Sequence, residues 1–407
     1  MVTRQRIVSF GIPTLALGTI VTSALLHRVV QPAPPPDCIY PPRPAEPFIP
    51  VTSVPAMRTD APRDRHHIDV VFAIDTTASM GSLIDGARRT VWGIADHIRK
   101  TDPGADLRVG LVAYRDNDPE ADMPEAYLTR PFALTTDLDA VYQELRGYDA
   151  SGGWTQPENI AAGLWDALRM AWRPSATKLV FVVGDAEPAD RGDVPGHATI
   201  IGEMVKRGIV VNAIQVGSLP ATETAFRRMA QLGGGEYAST AQSGGVQQIA
   251  TPYDAALAEL EARITRTTVF VGPSGERAAW QGRMAAAEAA PAAAKADRAG
   301  YYAKKAAASA TGDAGRTARD LVGATGVALD EVAEVDLPED MRALDRPARA
   351  AELARRATER RELQARIAEL VARREAFLAA ERAKHAHEGG LDGFDGRVKG
   401  VVEKQMK

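Results

Sequence analysis

The chain has 407 residues, 45% of them hydrophobic, and a formal net charge of −4. That leaves room for one large domain with appendages around a real core, and it lacks the basic field that a nucleic-acid binder needs. The one cysteine, Cys38, excludes an intrachain disulfide, and its proline-rich setting without a neighbouring base argues against a catalytic thiol.

Residues 7–26 contain no charged residue and follow Arg4 and Arg6. At a helical rise they span roughly 30 Å, about one bilayer core. Residues 1–30 therefore read as a signal-anchor or transmembrane helix. A cleaved signal peptide, with Thr22-Ser23-Ala24 as a weak site, is the alternative. Positive-inside counting puts Arg4 and Arg6 in the cytoplasm and the body in the periplasm or on the cell surface, or secreted if the signal is cut. Residues 31–65, with Pro32, Pro34, Pro35, Pro36, Pro41, Pro42 and Pro44, predict an extended spacer.

From 66 to 265 apolar runs alternate with amphipathic segments. Strands are expected at 68–74, 107–114, 178–184 and 208–216, with a short one near 235–238. Helices are expected at 81–100, 136–146, 158–171, 196–207, 222–232 and 244–265. Runs such as Leu179-Val180-Phe181-Val182-Val183 suit strands buried on both faces. The fold class is α/β: a doubly wound, mostly parallel sheet flanked by helices, with a helical region after it.

Residues 266–345 form an alanine-rich, mixed connector with breaks at Gly312, Gly315, Gly323, Gly326 and Pro338. Residues 346–407 comprise a long charged helix over 347–386 and a glycine-containing tail read as loose. Leu363, Ile367, Leu370 and Phe377 share one seam of that helix, with Arg374 at the remaining position. The seam is short for a coiled coil. It offers either a self-association surface or a face docked on the chain's own body.

The richest segment is Asp75-Thr76-Thr77-Ala78-Ser79, where the first strand turns into a helix. One carboxylate and two hydroxyls at alternate positions suit a hard cation, Mg²⁺ before Zn²⁺, with Mn²⁺ or Ca²⁺ as alternatives. Open α/β sheets bind ligands at such strand ends. Two more oxygen-bearing loops fall at the same edge: Ser151-Gly152-Gly153-Trp154-Thr155-Gln156-Pro157-Glu158, and Gly184-Asp185-Ala186-Glu187-Pro188. The run from Tyr114 to Asp118 reads as a solvated turn, and Glu187 as a surface acid. His66, His67, His385 and His387 lack zinc-site spacing.

These three loops, in this order, resemble the von Willebrand factor type A domain over roughly residues 66–265. The resemblance implies a metal-ion-dependent adhesion site with Asp75, Thr77, Ser79, Thr155 and Asp185 as ligands, Thr77 standing where serine is commoner. It further implies a cation with a water that an acidic side chain of a partner protein can displace. The expectation is a membrane-tethered binding module and not an enzyme. Two alternatives stand beside it: a Mg²⁺-dependent hydrolase or phosphotransferase, and a structural envelope protein assembling through its long helix. The first lacks a general base or phosphate-gripping cation in the three loops, and neither GxxxxGK[ST] nor GxSxG occurs.

Overall fold

The computed structural model describes residues 67–115, 128–151, 157–190, 194–242, 249–309, 317, 319–322, 328–385 and 394–406. The expected anchor at 7–26, the proline-rich spacer and Thr155 lie outside these residues. Among the described residues, no helix is long and apolar enough to cross a membrane.

Six strands form one sheet: β1 (His67–Asp75), β2 (Asp106–Tyr114), β3 (Thr129–Thr135), β4 (Thr177–Gly184), β5 (Ile209–Val216) and β6 (Gly234–Thr240). Their order is β3-β2-β1-β4-β5-β6. Only β3 runs antiparallel, against β2; the other pairings are parallel. The five expected strands are all present. β3 escapes the pattern because it is a half-exposed edge strand with polar Thr129, Arg130 and Thr135, and with Pro131 inside it. A proline fits there because an edge strand has no second neighbour to receive its missing N–H.

The helices α1 (Gly81–Thr101), α2 (Leu138–Arg146), α3 (Ile160–Leu168), α4 (His197–Lys206), α5 (Pro220–Leu232) and α6 (Asp254–Thr267) follow the expected order. Local chemistry sets several starts. The Asp137 side chain accepts the backbone N–H groups of Asp139 and Ala140, and Asn159 accepts that of Ala162. Pro220 opens α5, where its absent N–H has no helical acceptor to miss.

Period-two alternation in β1 sorts the core into two layers. Ile68, Val70, Phe72 and Ile74 pack with α1 and α2 on one face. Val71 and Ala73 pack with α3, α4 and α5 on the other. The chain builds β2 and β3 on one side of β1, then crosses to place β4 on the other. The carboxyl ends of β1 and β4 therefore flank the switch point, where the loops diverge and open a crevice.

The region after 266 is part of the same packing. It contains α7 (Ser274–Glu288), α8 (Ala292–Ala308), the short α9 (Glu339–Arg342), α10 (Arg346–His385) and α11 (Phe394–Gln405). The alanines allow α8 to lie close on α1. A methyl group on Gly93 would stand 3.0 Å from Asp297, and one on Gly300 would stand 3.2 Å from Asp96. Arg298 is buried there, with Nε and Nη2 each 2.6 Å from an oxygen of Asp139 and Nη1 on Glu261. The seam of α10 faces the chain's own α6 and α8: Leu363, Ile367 and Val371 pack with Leu257, Leu260, Ile264, Ala296 and Ala299. Arg374, on the same seam, pairs with Asp254 and Asp297 at 2.8 and 2.7 Å.

The expected loose tail is a helix over Phe394–Gln405. Val398, Val401 and Val402 enter the layer beside α1. Gln405 and Asn212 exchange two amide hydrogen bonds, of 3.1 and 2.7 Å. The glycines at 389, 390, 393, 396 and 400 hide this short i, i+3, i+4 pattern in the sequence.

Candidate metal centre

Thr76 leaves β1 still tied to the sheet: its backbone N–H and its hydroxyl both donate to the carbonyl of Tyr114, at 3.0 and 3.1 Å. The chain then folds back on Asp75. The backbone N–H of Thr77 donates to Asp75 Oδ1 at 2.8 Å, and the Thr77 hydroxyl donates to the same oxygen at 2.7 Å. Thr77 Oγ1 lies 3.3 Å from Ser79 Oγ. Asp75 and Thr77 are buried, whereas Ser79 is exposed, so the cluster runs from the sheet edge outward.

The second carboxylate comes from β4. Gly184 ends that strand and Asp185, also buried, follows. A Cβ on Gly184 would stand 2.6 Å from the Tyr114 hydroxyl and 3.5 Å from Asp75 Oδ2. The glycine therefore gives β4 room to close on both groups. The Tyr114 hydroxyl donates to the Val183 carbonyl at 3.1 Å, a buried tie from β2 across β1 to β4.

Electrostatics agree with this convergence. Burial pushes the Asp75 carboxyl up to about 7. The two Thr77 hydrogen bonds oppose the shift, the charge of Asp185 adds to it, and Arg115 works against it. Burial likewise pushes the Tyr114 phenol well above its usual range, with Asp75, Glu158 and Asp185 adding to the effect. Three carboxylates thus act on one buried phenol.

The arrangement fits a divalent cation on one observation above all. Asp75 Oδ2 is fully buried and meets no hydrogen-bond donor among the described residues, while Oδ1 is satisfied twice. A buried carboxylate oxygen is strongly disfavoured without a donor or a cation. Two carboxylates and the hydroxyls of Thr77 and Ser79 form an oxygen-only donor set that suits a hard metal. Among the described residues no group of three or more His, Cys, Asp or Glu side chains is arranged to hold a metal ion, so a zinc-type site built from those residues has no support elsewhere.

The structure brings together Asp75, Thr77, Ser79 and Asp185 of the expected ligands. The fifth, Thr155, lies outside the described residues, as do Trp154, Asp116, Asn117 and Asp118. Arg115 is buried and structural: its Nε donates to Thr76 Oγ1 at 3.2 Å, and Nη2 donates to the Asp149 carbonyl. Glu187 is exposed, and its carbonyl accepts the Glu158 N–H at 2.9 Å, tying the second loop to the third. His67 sits at the opposite end of β1, 3.8 Å from Asp106.

One neighbour of the site has no sequence signal. Gln242, just beyond β6, places Nε2 2.8 Å from Asp185 Oδ2 and 3.2 Å from the Ser79 carbonyl. No spacing rule links it to either loop; only the strand order does.

Residues 69–252 match the family model for the von Willebrand factor A domain. The alpha-protein kinase vwkA of Dictyostelium discoideum is 25% identical over 120 residues, which is 29% of this chain and 18% of that kinase. Among solved structures, the conserved hypothetical protein BatB from Bacteroides thetaiotaomicron is 16% identical, with a TM-score of 0.33 over 43% of this chain and 90% of its own. Proximal thread matrix protein 1 from the mussel byssus, whose structure is described as having a zinc-occupied MIDAS motif, is 15% identical, with a TM-score of 0.32 over 43% of this chain and 42% of its own.

Proposed function

We propose that this chain is a membrane-tethered, cation-dependent protein-binding module. Asp75, Thr77, Ser79, Thr155 and Asp185 would hold the cation, Mg²⁺ before Mn²⁺ or Ca²⁺. When bound, the cation supplies an electrophilic position that an acidic side chain of a partner can occupy. The observation that carries the reading is the unsatisfied, buried Oδ2 of Asp75 at the switch point of the sheet. The match of residues 69–252 to the von Willebrand factor A domain supports it.

The chain's own residues prepare the site in three ways. Thr77 fixes the Asp75 carboxylate through Oδ1 and so commits Oδ2 to the crevice. Gly184 and Tyr114 bring β4 against it without filling the space. Exposed Ser79 marks where the site meets solvent and therefore a partner.

Docking is favoured over turnover by Arg115. Among the described residues it is the cationic side chain that acts on Asp75, and a phosphoryl-transfer site would aim such a group at the substrate. Here its guanidinium is committed to Thr76 and to the Asp149 carbonyl beneath the loop. Residues 7–26 would hold the body at the membrane, outside the cytoplasm.

The test is capture from envelope extract by the full chain, with Mg²⁺ against EDTA, alongside Thr155→Ala and Asp185→Ala. Partner retention that EDTA and both substitutions abolish supports the module. Retention that survives all three contradicts it.

A further inference from the structure

Gln242 follows β6, two strands away from β4 in the sheet. Neighbouring strands lie about 4.8 Å apart, so a side chain from that position must cross the end of β5 to reach β4. Gly217, the residue after β5, allows the crossing. Its φ of +78° already favours glycine, and a Cβ there would stand 2.4 Å from Gln242 Oε1. The Gly217 N–H donates to the Thr240 carbonyl at 2.9 Å, which holds the two chain ends in register at that point.

The amide that arrives there has two N–H bonds, and both are used. One goes to Asp185 Oδ2, the other to the Ser79 carbonyl. These acceptors belong to the third and first loops of the site. A side-chain amide offers donors without charge, so it orients the carboxylate without competing with a cation by repulsion.

We propose that Gln242 is a positioning residue of the cation site. It holds one oxygen of Asp185, leaves the other for the metal, and locks the Ser79 turn to the Asp185 turn. Partners that orient metal ligands in this way usually set affinity by about 10- to 100-fold. The inference rests on the metal reading above and assigns Gln242 and Gly217 a role that neither residue type announces.

The test uses the full chain and Mn²⁺ alone, titrated calorimetrically, with the metal-free melting temperature as a control. Gln242→Ala is expected to weaken Mn²⁺ about 10- to 100-fold. Because Gln242 is exposed, its removal is expected to leave the metal-free protein folded, with only the small fall in melting temperature that loss of two hydrogen bonds brings. Gly217→Ala is expected to weaken Mn²⁺ in the native background, because the new methyl displaces Gln242, but to add nothing to Gln242→Ala. That non-additivity is a signature that a general loss of stability would not give. Native affinity in Gln242→Ala overturns the inference while leaving the metal reading standing. Absence of Mn²⁺ binding by the unsubstituted chain overturns both.

Discussion

Thr77 holds a single oxygen of Asp75 from two sides, through its backbone N–H at 2.8 Å and its hydroxyl at 2.7 Å. The other oxygen is buried and without a donor among the described residues, and it is the one that the proposed site would offer to a cation. A residue with a hydroxyl at position 77 is needed for this, which explains why threonine serves there as well as serine would.

The first prediction concerns pH. Burial, with the charge of Asp185 adding to it, places the Asp75 carboxyl near 7, against 3.8 when unperturbed. The metal must displace that proton, so Mn²⁺ affinity is expected to fall by roughly tenfold per pH unit below about 7. The metal-free protein behaves in the opposite sense. Its folded state holds the proton more tightly than the unfolded chain does, so this group's contribution to stability is full below about pH 4. It is lost as the pH rises through about 7. Calorimetric titration and thermal melting across that range check both signs; Asp75→Asn should flatten the melting profile and abolish the Mn²⁺ titration.

Gly184 gives the second. Alanine there would drive its methyl into the Tyr114 hydroxyl, 2.6 Å away, and toward Asp75 Oδ2. Overpacking of this kind costs about 1–3 kcal/mol. Tyr114→Phe removes the clashing oxygen, so the double variant is expected to lose less than the sum of the singles. Urea unfolding of the four proteins reads out the coupling directly.

The third concerns the buried Arg298, clamped between Asp139 and Glu261. Arg298→Met leaves two acidic groups without their cation and is expected to destabilise the protein by about 3–5 kcal/mol. Replacing Arg298 and Asp139 together by apolar residues should cost less than Arg298→Met alone. Denaturant unfolding at neutral pH distinguishes these outcomes.

The fourth tests the terminal helix. Val402 is wholly buried beside α1. Val402→Ala is expected to cost about 2 kcal/mol through lost burial and the cavity left behind. A truly loose tail would show no change.

The parallel core was legible because its strands are buried on both faces, and runs such as Val70-Val71-Phe72-Ala73-Ile74 advertise that directly. The oxygen-bearing side chains Asp75, Thr77, Ser79 and Asp185 were legible as a group because each falls where a strand of the sheet gives way to a loop. β3 was not, because an edge strand carrying Pro131 has polar residues where a buried strand would have apolar ones. Gln242 was not, because its role depends on which strand lies two places away and on a gap at Gly217, neither of which is local. The docking of α8 on α1 is also non-local: alanine spacing says that a close approach is allowed, but not which helix makes it.

The central claim is that Asp75 and Asp185 share a divalent cation. It is tested most directly by calorimetric titration of Mg²⁺ or Mn²⁺ into the unsubstituted full chain, Asp75→Ala and Asp185→Ala. The account predicts one cation per chain in the first and loss of binding in both variants. No binding by the unsubstituted chain, or equal binding by all three, would contradict it.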